Sequence, residues 1–370
     1  MLTKHSEDFL NEIYKSSPKL TYTDETHLYI ELEQARKLSK HINVKQEKHV
    51  EHSSLLNGNY GVEEIQMYIK QKTRYDVFVY SFEIENNSGF KRENKIFFVD
   101  YLGFSRSMYD KYAERVFMVL YLLRNVSESC SKYLSIYCYM TPFKKLLPET
   151  RSEVLSSKHI NTGVTYQCIK KNEVCVYRHE EWFKVLIHEL LHSYGVDMRI
   201  TFSPKQFYTD SKIRVGEAYV EFWAVYLNCV FAAYYLAKQD TIPKNTKKIF
   251  SEYLAKYIRA ERIFSLIQVN KILRHNNIKY VDLFKPNNEY REKTNVFAYY
   301  ILKSLLLFKY YDFIILSMKY NNNNYSIINQ KYIERFIDKY AKNREYRTYS
   351  NNLNVDYMKK SLRMTIIELS

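Results

Sequence analysis

The sequence predicts an α+β fold with segregated halves, a mixed sheet first and helices afterwards. Three observations carry this expectation. Short segments rich in Val, Ile, Phe and Tyr, separated by turn-forming residues, recur between residues 74 and 177. From His179 onward the apolar residues recur almost continuously at helical spacing. Strands followed by a run of helices, rather than alternating with them, is the pattern of an α+β architecture. The chain has 370 residues, of which 46% are apolar, so it can bury a large core without staples. The expected organisation is an N-terminal α/β part over 1–178 that ends in edge strands, a pair of apolar helices over 179–238, and a basic helical subdomain over 239–370.

Taken in order, residues 1–70 read as mostly helical and polar. Five of the ten histidines lie there (His5, His27, His41, His49, His52). Only His49 and His52 are close enough to share a ligand, and no third donor stands beside them, so we read them as surface histidines. Arg74–Ile84 and Lys95–Asp100 read as strands joined through the turn Asn-Asn-Ser-Gly. Ser105–Val126 carries a helical stripe, Met108, Tyr112, Val116, Met118, Leu120 and Leu123. Tyr133–Met140 is a third strand, leading into a short basic turn bracketed by Pro142 and Pro148. Gly163–Lys170 and Glu173–Tyr177 form a hairpin-like pair around Lys171-Asn172. No internal repeat is present.

Composition excludes several classes. Seven glycines and six prolines rule out collagen-like and low-complexity chains. The five cysteines are an odd number without CxxC spacing, which argues against a disulfide scaffold or a cysteine-only metal module and for a reducing compartment. The first residues lack the apolar core of a secretory signal. No run of about 18 apolar residues is evident; the nearest, Tyr299–Met318, is broken by Lys303, Lys309 and Asp312. The expectation is a soluble, intracellular protein. Net charge is +15, and residues 239–370 carry 24 Lys and Arg against 12 Asp and Glu. That third can attract an anionic partner such as nucleic acid, although heavy use of Tyr, Lys, Asn and Ile explains much of it as composition.

The chemistry is concentrated in Glu180–Arg199. His188-Glu189-Leu190-Leu191-His192 is an HExxH pattern inside an apolar helix. Positions i and i+4 share a helix face, so two imidazoles can reach one ion at about 2.0–2.1 Å, and Glu189 lies beside the open coordination position. There it can take a proton from water. Two histidines and a glutamate within one buried turn are expensive unless something pairs with them. We therefore expect zinc. Met198 stands where a third histidine would complete HExxHxxGxxH, so the third ligand must come from elsewhere. Arg214–Leu236 is a second apolar helix whose only acids, Glu217 and Glu221, are four apart on one face. Glu217 is assigned as the ligand and Glu221 as the acceptor that orients His188; the pattern itself leaves open which of the two ligates.

HExxH followed by a helix bearing E-A-x-x-x-[DE] resembles the gluzincin metallopeptidases, the thermolysin-like clan. There the first glutamate of the second motif binds zinc and the acid four residues later supports the first histidine. Over Tyr133–Leu306 the chain is similar to uncharacterised metallopeptidases of large double-stranded DNA viruses, through YMTPFKKLLP, HINTGVTYQC, YRHEEWFKVLIHELLHSYGVD, GEAYVEFWA and EKTNVFAYYILKSLL. The gap between His192 and Glu217 is longer than in thermolysin, so Ser203–Ile213 must make an excursion. No GxMEN motif is present, which argues against an aminopeptidase.

The resemblance implies a zinc peptidase, of endopeptidase or carboxypeptidase type, acting on proteins or peptides. It places an edge strand before the metal helix, at Asn161–Tyr166 with Gly163, Val164 and Thr165, as the strand that pairs with substrate backbone. An ordinary sheet strand is the alternative. It also calls for a tyrosine or histidine as oxyanion donor; Tyr299 or Tyr300 is preferred to His275. Two rival readings remain: a zinc-site binding protein without turnover, and a basic nucleic-acid-binding structural protein.

Overall fold

The computed structural model describes residues 1–12, 25–47, 49–57, 62–239, 245–321, 325, 329–353 and 357–370. The fold is α+β, as the sequence predicts. The described residues form two compact units that interleave along the chain. One comprises His27–Lys144 and Asn161–Val196; the other comprises Met1–Thr26, Lys145–Ile160 and Asp197–Ser370.

The first unit is built on a six-stranded mixed sheet: β1 (Asn43–Glu47), β2 (Asp76–Glu85), β3 (Lys91–Asp100), β4 (Tyr133–Met140), β5 (Gly163–Thr165) and β6 (Lys171–Val176). Their spatial order is β1-β2-β3-β4-β6-β5, which leaves β5 at an edge. The pairs β3–β4 and β4–β6 are parallel, and the rest are antiparallel. Alternation of side chains explains why both faces are covered. Val77, Val79, Phe97, Val99, Tyr137, Tyr139 and Cys175 share a core with Leu55, Leu56 and helix α1 (Glu63–Gln71). The intervening residues face helix α2 (Arg106–Leu122) and helix α3 (Trp182–Ser193): Phe78 stacks on Tyr109 at 4.9 Å and Phe98 meets Trp182 edge-on at 5.9 Å.

The second unit is helical. Helix α4 (Val215–Gln239) and helix α5 (Thr246–His275) are its longest elements, 25 and 30 residues. By length and composition α4 is apolar enough to cross a membrane, which the sequence pattern did not suggest, but 89% of its most apolar stretch is buried within the protein. Against these helices lies the extended segment 361–369, almost wholly buried. A buried extended segment that is bridged only at its ends, at Leu146–Ser361 and Leu2–Leu369, needs other partners for the backbone groups between them. Here Gln268 donates to the carbonyls of Ser361 and Arg363, Lys271 to Met358 and Ser361, Tyr300 to Leu362, Lys303 to Met364 and Asn228 to Ile367. Glu261 accepts from the N–H groups of Ile366 and Ile367 and from the Thr365 hydroxyl.

Several local expectations are corrected. Residues 43–47, read as helical, form β1; their alternation is too polar to signal a strand, because β1 is an edge. Strand β3 begins at Lys91, four residues earlier than predicted, since Arg92 is buried and donates to the carbonyls of Arg124, Ser127 and Cys130. The hairpin is present as β5 and β6, but Lys171 and Asn172 lie inside β6 rather than at its turn. The basic stretch after Pro142 is no simple turn. Leu146 bridges Ser361 and Leu147 N–H donates to Lys360, so 145–160 belongs with the helical unit. Finally, Cys130 and Cys168 form a disulfide. They are 38 residues apart, and the loops carrying them are brought together by Ser131 N–H donating to Ile169 and Tyr133 N–H to Lys170. Spacing along the chain could not reveal that pair.

Two outcomes follow. Burial raises the Glu261 carboxyl to about 7, opposed by its hydrogen bonds from Thr365, Ile367 and Ile366 and by the Lys303 charge. A carboxyl whose folded pKa exceeds its unfolded value binds its proton more tightly in the native state, so stability falls as pH rises from about 4.5 to 7. Over that window the loss is about 3 kcal/mol, and denaturant titrations of Glu261→Gln are expected to show it largely abolished. Separately, Cys138, Cys175 and Cys229 are buried thiols whose pKa burial raises. Intact-mass analysis after alkylation at pH 8 should find no label on the native protein and three after denaturation without reductant.

Candidate metal centre

Helix α3 supplies the first part of the site. Leu186, Ile187, Leu190 and Leu191 are fully buried, each worth about 1.5–3 kcal/mol, and they fix the helix against the sheet unit. The helix ends immediately after the motif. Gly195, at φ 72°, allows its own N–H to donate to His192 (2.8 Å) and the Val196 N–H to Leu191 (3.1 Å), a Schellman termination that needs a left-handed residue. His188 and His192 then lie one above the other, with Nε2 atoms 3.1 Å apart. His188 is 6% and Glu189 7% exposed.

The edge strand sits directly against Glu189. A Cβ on Gly163 would fall 2.8 Å from Glu189 Cγ and Oε1 and 2.9 Å from Val185 Cγ1. Glycine at 163 therefore lets the β5 backbone approach the glutamate more closely than any other residue would. The entry to β5 is anchored by the buried Arg178, whose guanidinium donates to the carbonyls of Asn161 (3.0 Å) and Lys144 (2.6 Å). Tyr177 N–H donates to Thr162.

Glu217 lies in the first turn of α4. Asn295 Nδ2 donates to its Oε1 (3.2 Å) and the Tyr299 hydroxyl to its Oε2 (3.1 Å). The two donors are one turn apart, with Tyr299 N–H bonded to Asn295, and Tyr299 falls in the π-helical stretch Phe297–Leu302. Such widened turns recur at functional sites. Glu292 holds the start of this stretch: it accepts from Phe297 N–H (2.6 Å), Tyr290 (2.8 Å) and Ser211 (2.7 Å), and burial raises its pKa. Ser211 belongs to the expected excursion before α4, which is also pinned where Phe207 packs on Phe284 and Phe297.

His188, His192 and Glu217 each offer one ligand atom, and the three atoms lie within 4.8 Å of one another, so the group can hold a metal ion. The donor set and the spacing of the imidazoles fit that use. Two ligands held at about 2.0–2.1 Å by one tetrahedral ion stand roughly 3.4 Å apart, close to the 3.1 Å between the two Nε2 atoms.

The other predicted residues separate. Tyr299 reaches Glu217, whereas Tyr300 is 1% exposed and its hydroxyl is committed to the Leu362 carbonyl, so it is removed from the candidate donors. His275 donates to the Glu153 carbonyl. Glu221 is buried one turn beyond Glu217. Gly163, Val164 and Thr165 form the edge strand β5. Met198 is 53% exposed. His52 is no plain surface histidine: its Nδ1 lies 3.3 Å from the Tyr139 hydroxyl, and burial, with the charge of Lys70, lowers its pKa. Asn295 and Glu292 were not foreseen. They lie in a stretch that drew attention for Tyr299, but no spacing rule ties an amide 78 residues away to Glu217.

The close approach at Gly163 gives a direct test. In Gly163→Ala the added methyl must push Glu189 or β5 aside, at a cost of about 1–3 kcal/mol. Thermal unfolding should register that loss, while Val164→Ala, at a half-buried position, should be much milder.

No protein family profile matches the chain, and no solved structure does. The chain is similar to an uncharacterised protein of Acanthamoeba polyphaga mimivirus, 30% identical over 96 residues. That stretch covers 25% of this chain and 24% of the viral protein.

Proposed function

We propose that the protein is a zinc-dependent peptidase of gluzincin type. The observation that carries this reading is that ligand atoms of His188, His192 and Glu217 lie within 4.8 Å of one another, with the buried Glu189 between the two histidines in sequence. Imidazole and carboxylate donors with a neighbouring glutamate outside the ligand set are the arrangement used by hydrolytic zinc, and a set of three ligands leaves a position for water. When bound, the ion polarises the scissile carbonyl and lowers the pKa of water in that position to about 7.

The chain's own residues do the rest. Glu189 takes the proton from water and delivers it to the leaving amine, a role suited to a carboxylate held in an apolar wall. Strand β5 is the last strand of the sheet among the described residues, and its outer backbone groups can pair with an extended peptide beside Glu189. Tyr299, with its hydroxyl on Glu217, is the donor that can turn to the oxyanion. Asn295 keeps the other Glu217 oxygen oriented meanwhile. Glu221 is assigned to His188, holding the imidazole so that its second nitrogen faces the ion.

Metal content by mass spectrometry tests the centre. Wild type purified without chelator should carry about one zinc per chain, His188→Ala and Glu217→Ala should lose it, and Glu221→Ala should retain it with 10- to 100-fold weaker affinity. Glu189→Gln should keep zinc and lose about 10²–10⁴-fold in peptide cleavage. A metal-free wild type refutes the centre; a loaded protein whose turnover ignores Glu189→Gln refutes the peptidase.

A further inference from the structure

The helical unit holds a concavity in which one sign of charge dominates. Its volume is about 690 Å³, within the range of small-molecule sites. Arg151, Arg274, Lys279 and Lys285 line it, and Asp282 is its one acid. Asp282 is already engaged: Lys285 Nζ is 2.7 Å from Oδ1, the Lys279 N–H donates to Oδ2, and both interactions hold its pKa down. Among the described residues no ion pair with a carboxylate is made by Arg151, Arg274 or Lys279. A cavity of this volume is roughly 9 Å across, about one Debye length in physiological salt, so repulsion among the three cations is weakened but not abolished. Their accumulation costs free energy unless an anion enters.

A second feature of the same wall is polar but uncharged. Asn270 is 2% exposed and lines the cavity. Its Nδ2 donates to the Ser350 carbonyl at 3.0 Å, while its Oδ1 is buried without a partner among the described residues. A buried acceptor left unsatisfied beside a charged cavity marks a place for a donor from outside the chain.

We propose that this cavity binds a small phosphorylated molecule with at least two negative charges. Its phosphate oxygens are held by Arg151, Arg274 and Lys279, and an N–H or O–H of the ligand satisfies Asn270 Oδ1. Phosphate is favoured because the planar guanidinium fork matches two oxygens of a tetrahedral oxyanion, and two such forks line one cavity. The site is separate from the metal centre and does not depend on the peptidase reading.

Calorimetric titration at physiological salt with sodium tripolyphosphate and with ATP tests this. Arg151 and Arg274 are exposed, so Arg151→Gln/Arg274→Gln should fold with an unchanged melting temperature. Wild type should bind both probes with Kd below about 100 μM, and the double variant should bind each at least tenfold more weakly. ATP should bind more tightly than tripolyphosphate, through donors that can reach Asn270. Equal affinities overturn the Asn270 contact. Absence of binding to either probe overturns the site, and so does undiminished binding by the double variant, the result expected if the probes merely chelate a metal elsewhere.

Discussion

Two imidazoles and a carboxylate occupy a single turn of helix α3, in a helix otherwise lined by fully buried leucine and isoleucine. That placement is the constraint on which the surrounding structure depends. Polar and ionisable groups out of water require partners, and an isolated buried charge costs far more than a single apolar contact returns. The neighbouring elements supply what the helix lacks. Gly195 stops it within one turn of His192, and β5 closes on Glu189 without a side chain at 163. Glu217 offers an oxygen within 4.8 Å of the histidine nitrogens, and its carboxylate is oriented by Asn295 and Tyr299.

The Glu217 carboxylate is held by residues outside the His188–His192–Glu217 group. Both carboxylate oxygens accept a hydrogen bond, which fixes the orientation of the group. The two donors are held at a fixed spacing by one helical turn, and the start of that turn is fixed in turn by Glu292 through Phe297, Tyr290 and Ser211. A chain of hydrogen bonds thus links the excursion before α4 to the carboxylate at its first turn. Outer partners of this kind commonly decide metal affinity as much as the ligands do.

Elsewhere the helical unit solves a different problem. Segment 361–369 meets other extended chain only at its two ends, through the Leu146–Ser361 and Leu2–Leu369 bridges, so along the rest of it side chains take over the role of a sheet. Gln268, Lys271, Lys303, Tyr300, Asn228 and Glu261 between them satisfy its carbonyls and N–H groups. This explains buried lysines and a fully buried glutamate that an inventory of active-site residues would misread. It also accounts for Tyr300, adjacent to Tyr299 and yet committed to the core.

By itself the sequence determined the fold class, most strand positions, the facing of His188 and His192, and the pairing of Glu217 with Glu221 on one face, because each rests on local periodicity: two residues along a strand, or four along a helix. The boundaries of β4 and the start of α2 followed from the same rule. Only the tertiary structure decided what depends on residues distant in the chain. The interleaving of 145–160 with the helical unit, the pairing of Cys130 with Cys168, the polar edge strand β1 and the Asn295–Glu217 contact leave no periodic trace. Tyr299 and Tyr300 are neighbours in sequence and equal in chemistry, and the helix turns them in different directions, one to Glu217 and one to the buried carbonyl of Leu362.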